Sequence, residues 1–178
     1  HPELFTFADR DHRMRENAVR YTSNTVEFAA ELGATRVVMH CGNARMTSIT
    51  RKLIALWDDD LQFTDKYEKL KLRLLARRDK KVAKVLPLLY ECLEQIHPLL
   101  EKTGVALCLE NLPTWEAIPT ETEVEALLKH FDSPRIRYWH DVGHGQIRHN
   151  LGFINHIRWF ERLRPYLAGM HIHDVLRP

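Results

Sequence analysis

The chain has 178 residues, 44% hydrophobic and 28% charged, enough apolar material for one real core, so a single globular domain spanning 1–178 is the expectation. Its 26 basic and 24 acidic side chains nearly cancel, which argues against the broad positive field of a dedicated nucleic-acid binder. No apolar run approaches the roughly 18 to 20 residues of a membrane helix, and no basic segment leads into a hydrophobic stretch near His1, so a cytoplasmic protein is expected.

From about Asp11 to Leu32, the spacing of Met14, Ala18, Val26, Ala29 and Ala30 predicts a helix, with Gly33 as its C-terminal cap. Thr35 to Cys41 (TRVVMHC) is β-branched and apolar, as a strand covered on both faces should be, and Gly42 and Asn43 break it. Asn43 to Thr64 reads as loop or short helix. Asp65 to Thr103 has helical spacing, with Pro87 and Pro98 expected to kink or divide it and Gly104 to end it. Within it, the basic stretch Lys69 to Lys81 is expected to be a solvated helix face.

Val105 to Leu109 (VALCL) is a second buried-type strand. Thr120 and Glu123 fit a capping box ahead of Val124, Leu127 and Leu128, and Pro134 stops that helix. Ile136 to Trp139 leads into HDVGHG (His140 to Gly145), Ile154, Ile157, Phe160 and Leu163 mark another helix, and Leu167 to Ile172 begins a last strand. This alternation predicts an α/β domain with parallel strands. Cys41, Cys92 and Cys108 have neither an even count nor a CxxC spacing, so they are expected to be reduced and buried.

The strand ends carry His40, Glu110, Asp141 with His144, and His171 with His173. In parallel α/β folds the carboxyl ends of the strands are where sites assemble, and carboxylates and imidazoles meeting there could ligate a divalent ion at about 2.0 to 2.2 Å. The mixed oxygen and nitrogen set suits Mn, Co, Zn or Mg. Each residue alone has a plainer explanation. Glu110 could be a cap or ion-pair carboxylate, Asp141 and His144 an Asx turn beside a surface histidine, and His40 a satisfied core histidine. His171 and His173 are two apart and would share a face on a continuing strand, with Asp174 either orienting one ring or capping the next element. Cys41 is adjacent to His40 and so should point to the opposite face, which disfavours a thiol nucleophile.

Together these segments, ELGATRVVMHCGN, VALCLENLP, RYWHDVGHG and GMHIHDV, resemble the xylose-isomerase-like barrel superfamily, which includes sugar isomerases and epimerases and an apurinic-site endonuclease family. The resemblance implies a (β/α) TIM barrel in which Glu110, Asp141 and His171 ligate the metal and His144 contacts substrate, with Glu110 and His144 as the catalytic pair. In the nuclease branch, positions matching His1, His40 and His144 would also hold metal. His173 departs from the neutral residue usual at its position, which leaves the ligand within HIH open. The family barrel has eight strands and a final ligating glutamate. Only four strands are visible here and that glutamate has no counterpart, so a fragment lacking the first and last strands of a longer protein is expected. Exposed strand edges would then favour a homo-oligomer.

The leading functional expectation is a metal-dependent isomerase or epimerase acting on a sugar or sugar phosphate through an enediolate. An apurinic-site endonuclease is the alternative, disfavoured by the balanced charge, since nonspecific DNA affinity rests on phosphate neutralisation. A non-catalytic barrel-fold binding domain is the third reading, supported by the absent carboxylate.

Overall fold

A computed structural model describes residues 4–176, so His1 lies outside the described residues. Helix α1 (His12–Glu31) opens where the Asp11 side chain accepts a hydrogen bond from the Arg13 N–H. It closes at Gly33, whose φ of 73° lets its own N–H reach Ala30 O at 3.0 Å and the Ala34 N–H reach Ala29 O at 2.8 Å. Strand β1 (Arg36–Met39) follows, shorter than the Thr35 to Cys41 run suggested. It is also not covered on both faces. None of its residues is fully buried, because β1 has a strand neighbour on one side only among the described residues.

The segment from Asn43 to Thr64 contains a helix, α2 (Thr50–Asp58), whose cap comes from a distant part of the chain. Glu116 accepts from the Ile49 and Thr50 N–H groups and from the Thr50 hydroxyl, so no local sequence signal announces the helix start. The next helical run is divided, into α3 (Asp65–Val82) and α4 (Leu86–Thr103). Pro87 sits in the first turn of α4, where its missing N–H has no helical partner to lose, whereas Pro98 lies inside α4 without ending it. Helix α3 is not wholly solvated. Arg78 is buried and donates to both Glu123 oxygens and to the carbonyls of Trp115 and Ala117.

Strand β2 (Ala106–Glu110) is buried throughout, helix α5 (Glu121–Phe131) carries the expected Thr120–Glu123 capping box, and strand β3 (Ile136–Asp141) runs directly into helix α6 (Val142–Asn150). Helix α7 (His156–Leu163) and a short turn, Arg164–Tyr166, precede strand β4 (Leu167–His171). The four strands form one parallel sheet in the order β1-β2-β3-β4, half of a (β/α) barrel. Parallel register puts paired residues on one face. Leu107, Leu109, Ile136 and Tyr138 therefore look outward, into a helix-covered core with Leu89, Leu93, Ile96 and Leu127. Val38, Cys108, Arg137 and Trp139 look the other way, onto the concave face.

A second, smaller core of Ile49, Leu53, Leu56, Tyr67, Leu74 and Leu151 holds α2 and α3 beside the carboxyl end of the sheet. All three cysteines are free and buried, as expected. No helix among the described residues is long and apolar enough to cross a membrane.

The Arg78–Glu123 pair gives this packing a pH dependence. Burial pushes the Glu123 carboxyl up, but the hydrogen bonds and charge of Arg78, with the Thr120 bonds, outweigh it and hold it below its ordinary value. A carboxyl lowered in the folded state contributes stability that is present above the unfolded carboxylate range and lost as pH falls through the folded value. Glu123→Gln should therefore be less stable than the wild type in urea unfolding near neutral pH, and the gap should narrow below about pH 4. A gap independent of pH would contradict this.

Candidate active site

Each strand ends in, or is followed at once by, one ligand-type residue: His40 after β1, Glu110 on β2, Asp141 on β3 and His171 on β4. The alignment of the last two depends on an irregularity. Tyr138 pairs with Leu167 but Trp139 pairs with Gly169, so β4 carries one extra residue at this point. That slip sets His171, rather than Met170, opposite Asp141 and turns both onto one face. Gly169 is required at the slip, because a Cβ there would lie 2.2 Å from the Trp139 ring.

Glu110 and Asp141 are both buried, at 4% and 3% exposure, yet their carboxylates converge on the same imidazole. His171 Nδ1 lies 3.0 Å from Glu110 Oε1 and 3.5 Å from Asp141 Oδ2. His40 Nε2 reaches Glu110 Oε2 at 3.0 Å from the other side. Burial pushes the Glu110 carboxyl up, but hydrogen bonds and charge from His40 and His171 outweigh it, so it sits below its ordinary value.

Asp141 does two things at once. It is the N-cap of α6, with Oδ1 accepting from the His144 N–H at 2.8 Å, so the plain capping role is real. Its carboxylate also faces His173 Nε2 at 2.9 Å. The His144 ring is half-buried, and its Nδ1 donates to the Asn111 carbonyl at 2.8 Å. A carbonyl can only accept, so in the neutral ring Nε2 is the basic nitrogen. Burial lowers the His144 pKa.

Two expectations about the HIH segment need correction. Strand β4 stops at His171, so His173 does not share a continuing strand with it, although both rings reach Asp141. The Asp174 carboxylate orients neither ring. It accepts from the Val175 N–H, and only the Asp174 main-chain carbonyl meets His173 Nδ1, at 3.3 Å. The His173 ring packs on α6 at Gly143, where a Cβ would come within 2.0 Å of it. Cys41 is fully buried and burial pushes its thiol far up, which removes it as a nucleophile.

Two groups of ligand-type atoms result among the described residues, Glu110 with Asp141 and His171, and Asp141 with His144 and His173, each within 4.8 Å of one another. Two buried carboxylates and an imidazole gathered this closely form an oxygen-rich set that fits a divalent cation, since burying such anions together is costly without positive charge. His140, by contrast, faces the helices. Tyr138 Oη and His156 Nε2 lie 2.7 and 2.9 Å from its two ring nitrogens, and burial with the neighbouring His156 lowers its pKa to about 4. Asn111 is a participant that the residue pattern did not single out. It is buried behind Glu110 and binds the main chain of Asp141.

Residues 1–178 match the family model described as a xylose isomerase-like TIM barrel. No curated protein matches the sequence. Among solved structures, a D-tagatose 3-epimerase-like protein superposes with a TM-score of 0.66 at 22% identity, covering 96% of this chain and 52% of that one. The 3-keto-D-glucoside 4-epimerase YcjR from E. coli gives 0.65 at 15% identity, covering 97% and 56%. A D-psicose 3-epimerase crystallised in the presence of D-fructose gives 0.62 at 17%, covering 95% and 48%. The chain thus spans about half the length of each, and likeness at these identities shows the fold.

Proposed function

Because the chain belongs to the xylose isomerase-like TIM-barrel family, we propose that it carries half of the active site of a metal-dependent sugar isomerase or epimerase. The observation that carries this reading is the convergence of Glu110 and Asp141 on His171 Nδ1, at 3.0 and 3.5 Å. These three residues would hold the ion, one of Mn, Co, Zn or Mg. When bound, such an ion supplies Lewis-acid polarisation of a carbonyl and stabilises negative charge on an enediolate.

The remaining chemistry falls to the side chains. Glu110, held ionised by His40 and His171, would take the proton from the carbon beside the substrate carbonyl and return it. His144, with Nδ1 committed to the Asn111 carbonyl, leaves Nε2 for a substrate hydroxyl. His40 would keep Glu110 oriented. The structural neighbour named as a D-psicose 3-epimerase, whose structure was determined in the presence of D-fructose, supports a small sugar or sugar phosphate as substrate.

One observation favours a second reading. The Asp141, His144 and His173 group adjoins the first and shares Asp141 with it, as a multi-ion phosphodiesterase site would require. Incubating the Mn²⁺-supplemented full-length protein with a panel of ketoses in heavy water separates the two. Solvent deuterium should appear at the carbon beside the carbonyl. No exchange with any ketose, together with nicking of an abasic-site duplex, would overturn the isomerase reading in favour of the nuclease.

A further inference from the structure

We infer that Asn111 is the positioning residue of this centre, locking the Asp141 carboxylate and the His144 ring to the end of β2; the inference rests on the metal-binding reading above. The β2–β3 register runs to Glu110 opposite Trp139, and Asp141 lies beyond it. There the Asn111 side chain replaces the missing strand. Its Oδ1 accepts from the Asp141 N–H at 2.7 Å and its Nδ2 donates to the Asp141 carbonyl at 2.9 Å. A primary amide offers this donor and acceptor together on one short stem.

The three residues then close a ring of hydrogen bonds in which each side chain binds the next residue's main chain. Asn111 binds Asp141, the Asp141 carboxylate takes the His144 N–H at 2.8 Å, and the His144 ring donates to the Asn111 carbonyl at 2.8 Å. The ring occupies Asp141 Oδ1 and leaves Oδ2 facing His171 Nδ1 at 3.5 Å and His173 Nε2 at 3.2 Å. It also fixes the His144 tautomer. Asn111 is 4% exposed, so water cannot readily replace its two bonds to Asp141. The partners that aim a ligand govern affinity much as the ligands do.

The test is Co²⁺ titration of the full-length protein, wild type against Asn111→Ala, by calorimetry and by the visible absorption of the bound ion. Thermal unfolding is followed in parallel. Asn111→Ala should weaken Co²⁺ binding about 10- to 100-fold and shift the absorption bands. Leu127→Ala, a truncation at a fully buried position of α5, should lower Tm and leave both unchanged. Asn111→Ser, which cannot reproduce the amide fork, is measured alongside in case the alanine variant does not fold, and the same loss is expected of it. Wild-type affinity and spectrum in a folded Asn111 variant would overturn the inference while leaving the metal reading intact. A wild type that takes up no Co²⁺ would instead overturn the metal reading and the inference with it.

Discussion

Replacing Glu110 with glutamine in the full-length protein is expected to lower sugar interconversion by about 10²- to 10⁴-fold, the range typical of losing a positioned acid or base. Glutamine keeps the size of the side chain, and an amide can still bond His40 and His171, so the fold should survive. What disappears is the negative charge. Without it the residue can neither accept a proton from carbon nor oppose the charge of a cation beside Asp141 and His171. Ion affinity should therefore fall with turnover, while the far-ultraviolet circular dichroism stays that of the wild type. Full activity in a folded Glu110→Gln protein would remove Glu110 from the chemistry.

The largest expected effect on stability lies away from the proposed ligands. Arg148 is fully buried, donates to both oxygens of buried Glu121 at 2.9 Å and to the Thr114 carbonyl at 3.1 Å, and lies over the Trp115 ring. With Arg78, which binds the Trp115 and Ala117 carbonyls, it clamps the loop that leads from Glu110 to α5. Arg148→Met would leave the Glu121 carboxylate buried without its partner, which costs about 3–5 kcal/mol. At roughly 2–4 °C per kcal/mol for a chain of this size, Tm should drop by about 10 °C. Because most of that cost is the stranded charge, Arg148→Met combined with Glu121→Gln should be more stable than Arg148→Met alone. A double variant that is worse than the single would show that the pair's attraction, rather than the uncompensated anion, dominates.

The parallel α/β architecture follows from features visible in the residues. Hydrophobic periodicity marked α1, α4 and α5, the apolar VALCL run marked β2, and the Thr120–Glu123 box formed as expected. The features that stayed hidden rest on long-range contacts. Helix α2 is capped by Glu116 from another part of the chain, and Gly143 and Gly145 disguised α6, although those glycines are there to admit the rings of His173 and His156. The convergence of Glu110, Asp141 and His171 could be anticipated from strand ends alone, but its register could not. It depends on the one-residue slip in β4, which leaves no mark in local composition. Asn111 was equally silent, since its bonds run to a residue thirty positions away.

Crystals of the full-length protein soaked in Zn²⁺, with an anomalous difference map collected at the zinc edge, test the ligand assignment most directly. A peak about 2.0 to 2.2 Å from carboxylate oxygens of Glu110 and Asp141 and from His171 Nδ1 is the predicted result. A peak held elsewhere, with either carboxylate more than about 4 Å from the ion, would contradict it.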